Sequence, residues 1–189
     1  MVKNNWWKIP QLADLSEDVI RFGSLLADLA RRLGLDLTVY PVDHIALRCY
    51  QDATAQRWFD GWRQAGNCLK ESPVNGRNIA LFHLPTPIEF NELRIDCVEL
   101  PWPGERRYPH EGWEHIEIVL PGPAPLLAQR ALSLLSDTAL ASPDIRIKQS
   151  APQGGNEFLP NPTLAVTDGK VTIKFHPYSL RSIVVGEGD

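Results

Sequence analysis

Residues Glu99–Leu120 read ELPWPGERRYPHEGWEHIEIVL. An acid closes an apolar-rich run (Ile95, Cys97, Val98), and a His opens another (Ile116, Ile118, Val119, Leu120). A loop rich in Pro, Gly, Arg and aromatic residues separates them, so two strand ends bring Glu99 and His115 towards one another.

Upstream, PVDHIALRCY alternates Ile45, Leu47 and Cys49 with His44, Ala46 and Arg48, the pattern of a strand with one apolar and one more polar face. A helix is expected near 53–65, carrying Trp58, Phe59 and Trp62 and closed by Gly66. CLKESPV and NIALFHL read as strands joined at Asn75-Gly76, and FNELRIDCVEL as a further strand. Downstream the order repeats: WEHIEIVL as a strand, Ala124–Leu135 as a helix, IRIKQS as a strand, and TLAVTDGKVTIKFHP as a hairpin turning at Asp168-Gly169. The Gly/Pro-rich stretch APQGGNEFLPNP is placed where a lid could sit.

Letters echo the element order. Asp43-His44-Ile45 returns 71 residues later as Glu114-His115-Ile116. The expected fold is α+β: two paired βαβββ units, 41–100 and 113–180 within a domain spanning 41–189, curving around a shared cleft. Residues 1–40 form an added N-terminal segment packed on that domain. There Trp6 and Trp7 cover apolar surface, and a helix starts with Ser16 as N-cap, buries Val19, Phe22, Leu25, Leu26, Leu29 and Leu33, and stops at Gly34. This amphipathic helix and the Trp-rich arm offer a surface for homo-oligomerisation.

Alternation sets which side chains meet. If Ile45, Leu47, Ile116 and Ile118 lie under the helices, then His44, Arg48, His115 and Glu117 face the cleft, as do Thr172, Lys174 and His176 from the last strand. Imidazoles and carboxylates gathered there suit one borderline divalent ion (Zn, Ni, Mn or Fe(II)), with positions left open for a substrate. His83 and His110 read as surface or loop residues, and Arg106-Arg107 as a solvated pair beside Glu105.

Composition excludes other classes. A net charge of −4 with 22% charged residues favours neither disorder nor a nucleic-acid surface. No apolar run reaches the roughly 18–20 residues of a membrane span, and the first residues lack a secretory signal. Three cysteines without CxxC spacing read as reduced thiols of a cytoplasmic protein. No GxGxxG, P-loop or GxSxG is present.

At DHIALRC, VELPWPGERRYPHEGWEHIEIVLP, LPNPTLAVTDGK and TIKFHP the chain resembles the small bacterial YecM family. More faintly, in element order and a few positions, it resembles the vicinal oxygen chelate superfamily of glyoxalase I, extradiol dioxygenases and bleomycin-resistance proteins. That likeness implies a paired βαβββ fold with ligands on the first, fourth, fifth and eighth strands. His44 falls on the first, Glu99 on the fourth and His115 on the fifth. The eighth-strand acid is missing from TIKFHP, where Lys174 or His176 takes the inward place. Glyoxalase and dioxygenase activities therefore do not carry over by name. The implied function is a metal-dependent enzyme acting on a small oxygenated molecule, with metal ligands among His44, Glu99, His115 and His176. Glu117 is the candidate base, and Arg48 or Lys174 would hold an anionic substituent. The alternative is a non-catalytic protein that sequesters a small molecule, as bleomycin-resistance proteins do.

Overall fold

The computed structural model describes residues 5–74, 76–151 and 159–184. Most of the stretch read as a lid, and Asn75 of the first expected turn, lie outside the described residues.

Eight strands form one sheet: β1 (Val42–Arg48), β2 (Asn67–Val74), β3 (Arg77–Phe90), β4 (Leu93–Pro101), β5 (Gly112–Val119), β6 (Arg146–Ser150), β7 (Thr163–Thr167) and β8 (Thr172–His176). Their order across the sheet is β2-β3-β4-β1-β5-β8-β7-β6. Strands β1 and β5 pair antiparallel at the centre, and each has a parallel neighbour on its outer side, β4 and β8 respectively. Parallel neighbours need a crossover, supplied first by α2 (Asp52–Ala65). The second comes from a broken helical segment comprising a 3-10 turn at Ala124–Leu126, α3 (Leu127–Leu132) and α4 (Asp137–Leu140). The chain is α+β.

The single helix expected over 124–135 is corrected: a 3-10 turn runs into α3, which stops at Leu132, and a separate short helix, α4, follows beyond the expected range. Ser136 starts the next one: its hydroxyl accepts from the Ala139 amide and opens α4, while its own amide donates to the Leu33 carbonyl. FNELRIDCVEL is not one strand either. Asn91 and Glu92 adopt φ of 48° and 64°, turning β3 tightly into β4. Two successive positive φ values mark the hairpin turn whose twist matches its strands, and Asn-Glu lacks the glycine that usually announces it.

The N-terminal helix α1 runs Ala13–Leu33, three residues earlier than expected. Ser16 is inside it and donates its hydroxyl to the Ala13 carbonyl, so it is not the cap. Gly34 ends α1 in the left-handed region at φ 74°, where L side chains are strained. The buried row of Leu15, Phe22, Leu26, Leu29 and Leu33 shares one core with the underside of the sheet. Trp6 is buried against Trp62 and Trp113, with ring centroids 5.7 and 6.1 Å away. Trp7 stays about half exposed. No helix among the described residues is long and apolar enough to cross a membrane.

Helix α1 also holds the start of β5. The Asp18 carboxylate accepts from the Trp113 amide (2.9 Å), from Arg21 Nε (2.6 Å) and from His110 Nε2 (2.8 Å). The Trp113 indole donates to the Leu15 carbonyl. Gly112 has φ 131°, and a Cβ there would collide with the Asp18 carboxylate. Burial by itself raises the Asp18 pKa, but Arg21, the Trp113 amide and His110 outweigh it and hold the carboxyl below its ordinary 3.8. Stability from this group is therefore present above pH 3.8 and lost as pH falls through the lower folded value. Asp18→Asn should cost about 2 kcal/mol at pH 7, the scale of a lost charge-assisted hydrogen bond. Urea midpoints should show that difference at pH 7 and a smaller one at pH 3.

Candidate metal centre

One face of the sheet curls around a cavity of about 440 Å³, lined from the outer strand β2 across to β6 and by Leu180 at the start of a short C-terminal helix (Leu180–Val184). At its floor lie the two central strands, and their register explains the site. Ile45 faces Ile116, and Val42 faces Ile118 while His44 faces Glu117, so Asp43 is an extra residue on β1. Likewise Ala46 faces His115 and Leu47 faces Trp113, so Glu114 is an extra residue on β5. Each strand carries a β-bulge at the acid preceding its His.

A bulge breaks strict alternation and re-aims a side chain. Here it lets neighbouring residues touch: Asp43 Oδ2 lies 2.8 Å from His44 Nδ1, and Glu114 Oε2 lies 2.5 Å from His115 Nδ1. Both imidazoles are fully buried, and the Nε2 atom of each has no hydrogen-bond partner among the described residues. With one ring nitrogen tied to a carboxylate, the other presents its lone pair in a fixed direction, the arrangement of a metal-ligating His. The ligand atoms of His44, Glu99 and His115 all lie within 4.8 Å of one another, although the two ring centroids are 6.2 Å apart. Glu117 reaches the same point, its Oε1 3.6 Å from His44 Nε2 and 3.3 Å from His115 Nε2.

The register also relates the flanking strands β4 and β8. Ala46 faces Glu99 on β4, and Glu117, which is Ala46 shifted by 71 residues, faces Lys174 on β8. Lys174 therefore stands where Glu99 stands in the first half. The second half's carboxylate is on the central strand instead, at Glu117, and Lys174 Nζ donates to it at 3.3 Å. His176 lies one step further along β8. It joins Asp43 and His44 in a second trio, with Nε2 3.5 Å from Asp43 Oδ2 and Nδ1 3.4 Å from Glu117 Oε2. Arg48 is buried, stacks 4.6 Å from the Tyr108 ring centroid, and approaches Glu99 (3.8 Å) and Glu114 (3.7 Å). Arg48 and Lys174 are thus first of all counter-charges to the site's own acids.

Sequence reasoning missed the roles of Asp43, Glu114 and Tyr108. The acid-His echo was visible, but strict alternation would send each acid to the opposite face from its His. Thr172, which donates to Glu114 Oε1 at 2.9 Å, was placed in the cleft without a role. Outside the centre, His83 lies at a partly exposed position on β3, 3.4 Å from Asp96, and His110 is held by Asp18. Arg106 and Arg107 are not merely solvated: they stack over Tyr108 (5.0 Å) and Tyr50 (4.4 Å).

Comparison with known proteins places the chain in a group. The family model described as YecM protein matches residues 11–187. Protein YecM of Escherichia coli (strain K12) is 56% identical over 183 residues, 97% of each chain. The chain belongs to the YecM family. A relative from Haemophilus influenzae, described as an uncharacterized protein, is 38% identical over 175 residues, 90% of this chain and 92% of that one. A solved structure described as Structural Genomics, Protein EC4020 superimposes with a TM-score of 0.92 at 54% identity, covering 100% of this chain and 99% of that one.

Four acids (Asp43, Glu99, Glu114 and Glu117) face two cations in this centre, and the excess is felt by the imidazoles. Burial disfavours charge on His44, but the carboxylates of Glu117 and Asp43 outweigh it and push its pKa up to about 10. Burial prevails at His176, whose pKa is lowered. Burial raises Glu117 too, yet His44, Lys174 and His115 hold it well below the usual carboxylate range. In metal-free protein the proton on His44 stands in for a cation. It stabilises that state fully below pH 6.5 and ceases to do so as pH rises through about 10. In ¹⁵N-labelled, chelator-treated protein at pH 8, His44 should show imidazolium nitrogen shifts and His176 neutral ones.

Proposed function

We propose that the chain binds one divalent cation through His44, Glu99 and His115, and acts as a metal-dependent enzyme on a small oxygenated molecule. The observation that carries this reading is the pair of buried imidazole Nε2 atoms without hydrogen-bond partners, converging with two carboxylates while each Nδ1 is tied to its own acid. Unpartnered buried polar atoms are costly, and a cation that accepts their lone pairs removes the cost. Two nitrogen and two oxygen donors suit Zn, Ni, Mn or Fe(II). Such an ion would act as a Lewis acid, polarising two neighbouring oxygens of the substrate.

The chain's own groups divide the remaining tasks. Glu117 would complete the donor set and, kept ionised by His44 and Lys174, would be the group to take a proton from the substrate. Arg48 and Lys174 keep Glu99, Glu114 and Glu117 charged and line the wall against which an anionic group of the substrate would lie. The strand order, the same outward from β1 as from β5, supports reading the two halves as paired βαβββ units of the vicinal oxygen chelate kind.

Protein purified without a His-tag, stripped and reloaded, should take up one equivalent of Zn²⁺ or Ni²⁺ by elemental analysis. His44→Ala and His115→Ala should abolish stoichiometric uptake. Asp43→Asn and Glu114→Gln should weaken it by about 10- to 100-fold, the usual effect of removing a carboxylate behind a ligating imidazole. Uptake that survives loss of either imidazole would sink the reading.

A further inference from the structure

We infer that the cavity above the centre takes a ligand with an anionic tail, a carboxylate or phosphate, held by Arg77 and Lys148 at the far end from His44 and His115. The inference rests on the metal-centre reading for the ligand's inner end and goes beyond it in naming the outer one.

The cavity changes character with height. Its floor is acidic, whereas higher up it is lined by Lys70, Arg77 and Lys148. Once a divalent ion sits among the acids, Arg48 and Lys174 complete the neutralisation of the floor. Arg77 and Lys148 have no carboxylate within 4 Å among the described residues, although both border the cavity. Two cations facing a half-enclosed space make a site of favourable potential for a small anion.

The register gives the distance. Lys148 faces Ala165, Ala165 faces Lys174, and Lys174 faces Glu117, so Lys148 lies three strands out, about 14 Å along the sheet. Arg77 sits on β3 four residues before Leu81, which faces Glu99, about 13 Å along the strand. Each long side chain spans roughly 6 Å of that gap, leaving about 7–8 Å, the length of a chain of four to six atoms. Val74, Ile79 and Leu81 line the same space, so the middle of the ligand can be aliphatic. A ligand with two vicinal oxygens at one end and an anion about five carbons away fits these constraints.

The test compares 2-hydroxyheptanedioate with 2-hydroxyheptanoate, which share a chelating end and differ in the charged tail, and 2-hydroxy-6-phosphohexanoate with 2,6-dihydroxyhexanoate for a phosphate tail. Affinities are measured by calorimetry on Zn²⁺-loaded and on chelator-treated full-length protein, with metal content determined on the same samples. At least one charged-tail ligand should bind tenfold or more tightly than its partner, and whichever pair responds identifies carboxylate or phosphate. In the Arg77→Gln/Lys148→Gln double variant that ratio should fall below about three while metal uptake is unchanged. Equal or absent binding within both pairs to metal-loaded wild type overturns the inference, as does a ratio that survives in the double variant. If the wild type takes up no metal, the metal-centre reading fails separately, and the same ratios in the chelator-treated protein decide the tail site.

Discussion

The antiparallel pairing of β1 with β5 is the constraint on which the centre depends. Regular pairing would place His44 and His115 diagonally on one face and send Asp43 and Glu114 to the other. One bulge on each strand changes that outcome, bringing both acids to the Nδ1 atoms of their own imidazoles. The bulges come at corresponding points on either side of the Ile45–Ile116 pair, so one local irregularity used twice orients both rings.

The centre's charge distribution follows from a departure from that symmetry. Ala46 in the first half corresponds to Glu117 in the second, and Glu99 corresponds to Lys174. A strictly repeated pair would hold two carboxylates from the flanking strands. Here one is supplied by a flanking strand and one by a central strand, and the remaining position carries a cation ion-paired to Glu117. Burying so many ionisable groups is tolerable only because each acid has a positive or hydrogen-bonding neighbour.

The N-terminal segment takes part in positioning this site. Asp18 fixes the Trp113 amide two residues before His115, and the Trp6, Trp62 and Trp113 rings fill the space beneath. The helix that reads from sequence as a cover for apolar surface also anchors the strand that delivers one imidazole.

The letters alone determined much of this molecule. Strand alternation, the element order on both sides of the central loop, and the repeat of acid, His and Ile placed His44, Glu99, His115 and Glu117 together, because periodicities of two and of 3.6 are written directly into side-chain polarity. Only the tertiary structure decided the bulges, the Asn91-Glu92 turn, the helix break after Leu132, and the choice of Lys174 over His176 as the counterpart of Glu99. Each of these is a matter of register or of contact between segments distant in sequence. A register is set by which strands pair and how far they slide, and no single strand's pattern contains that information.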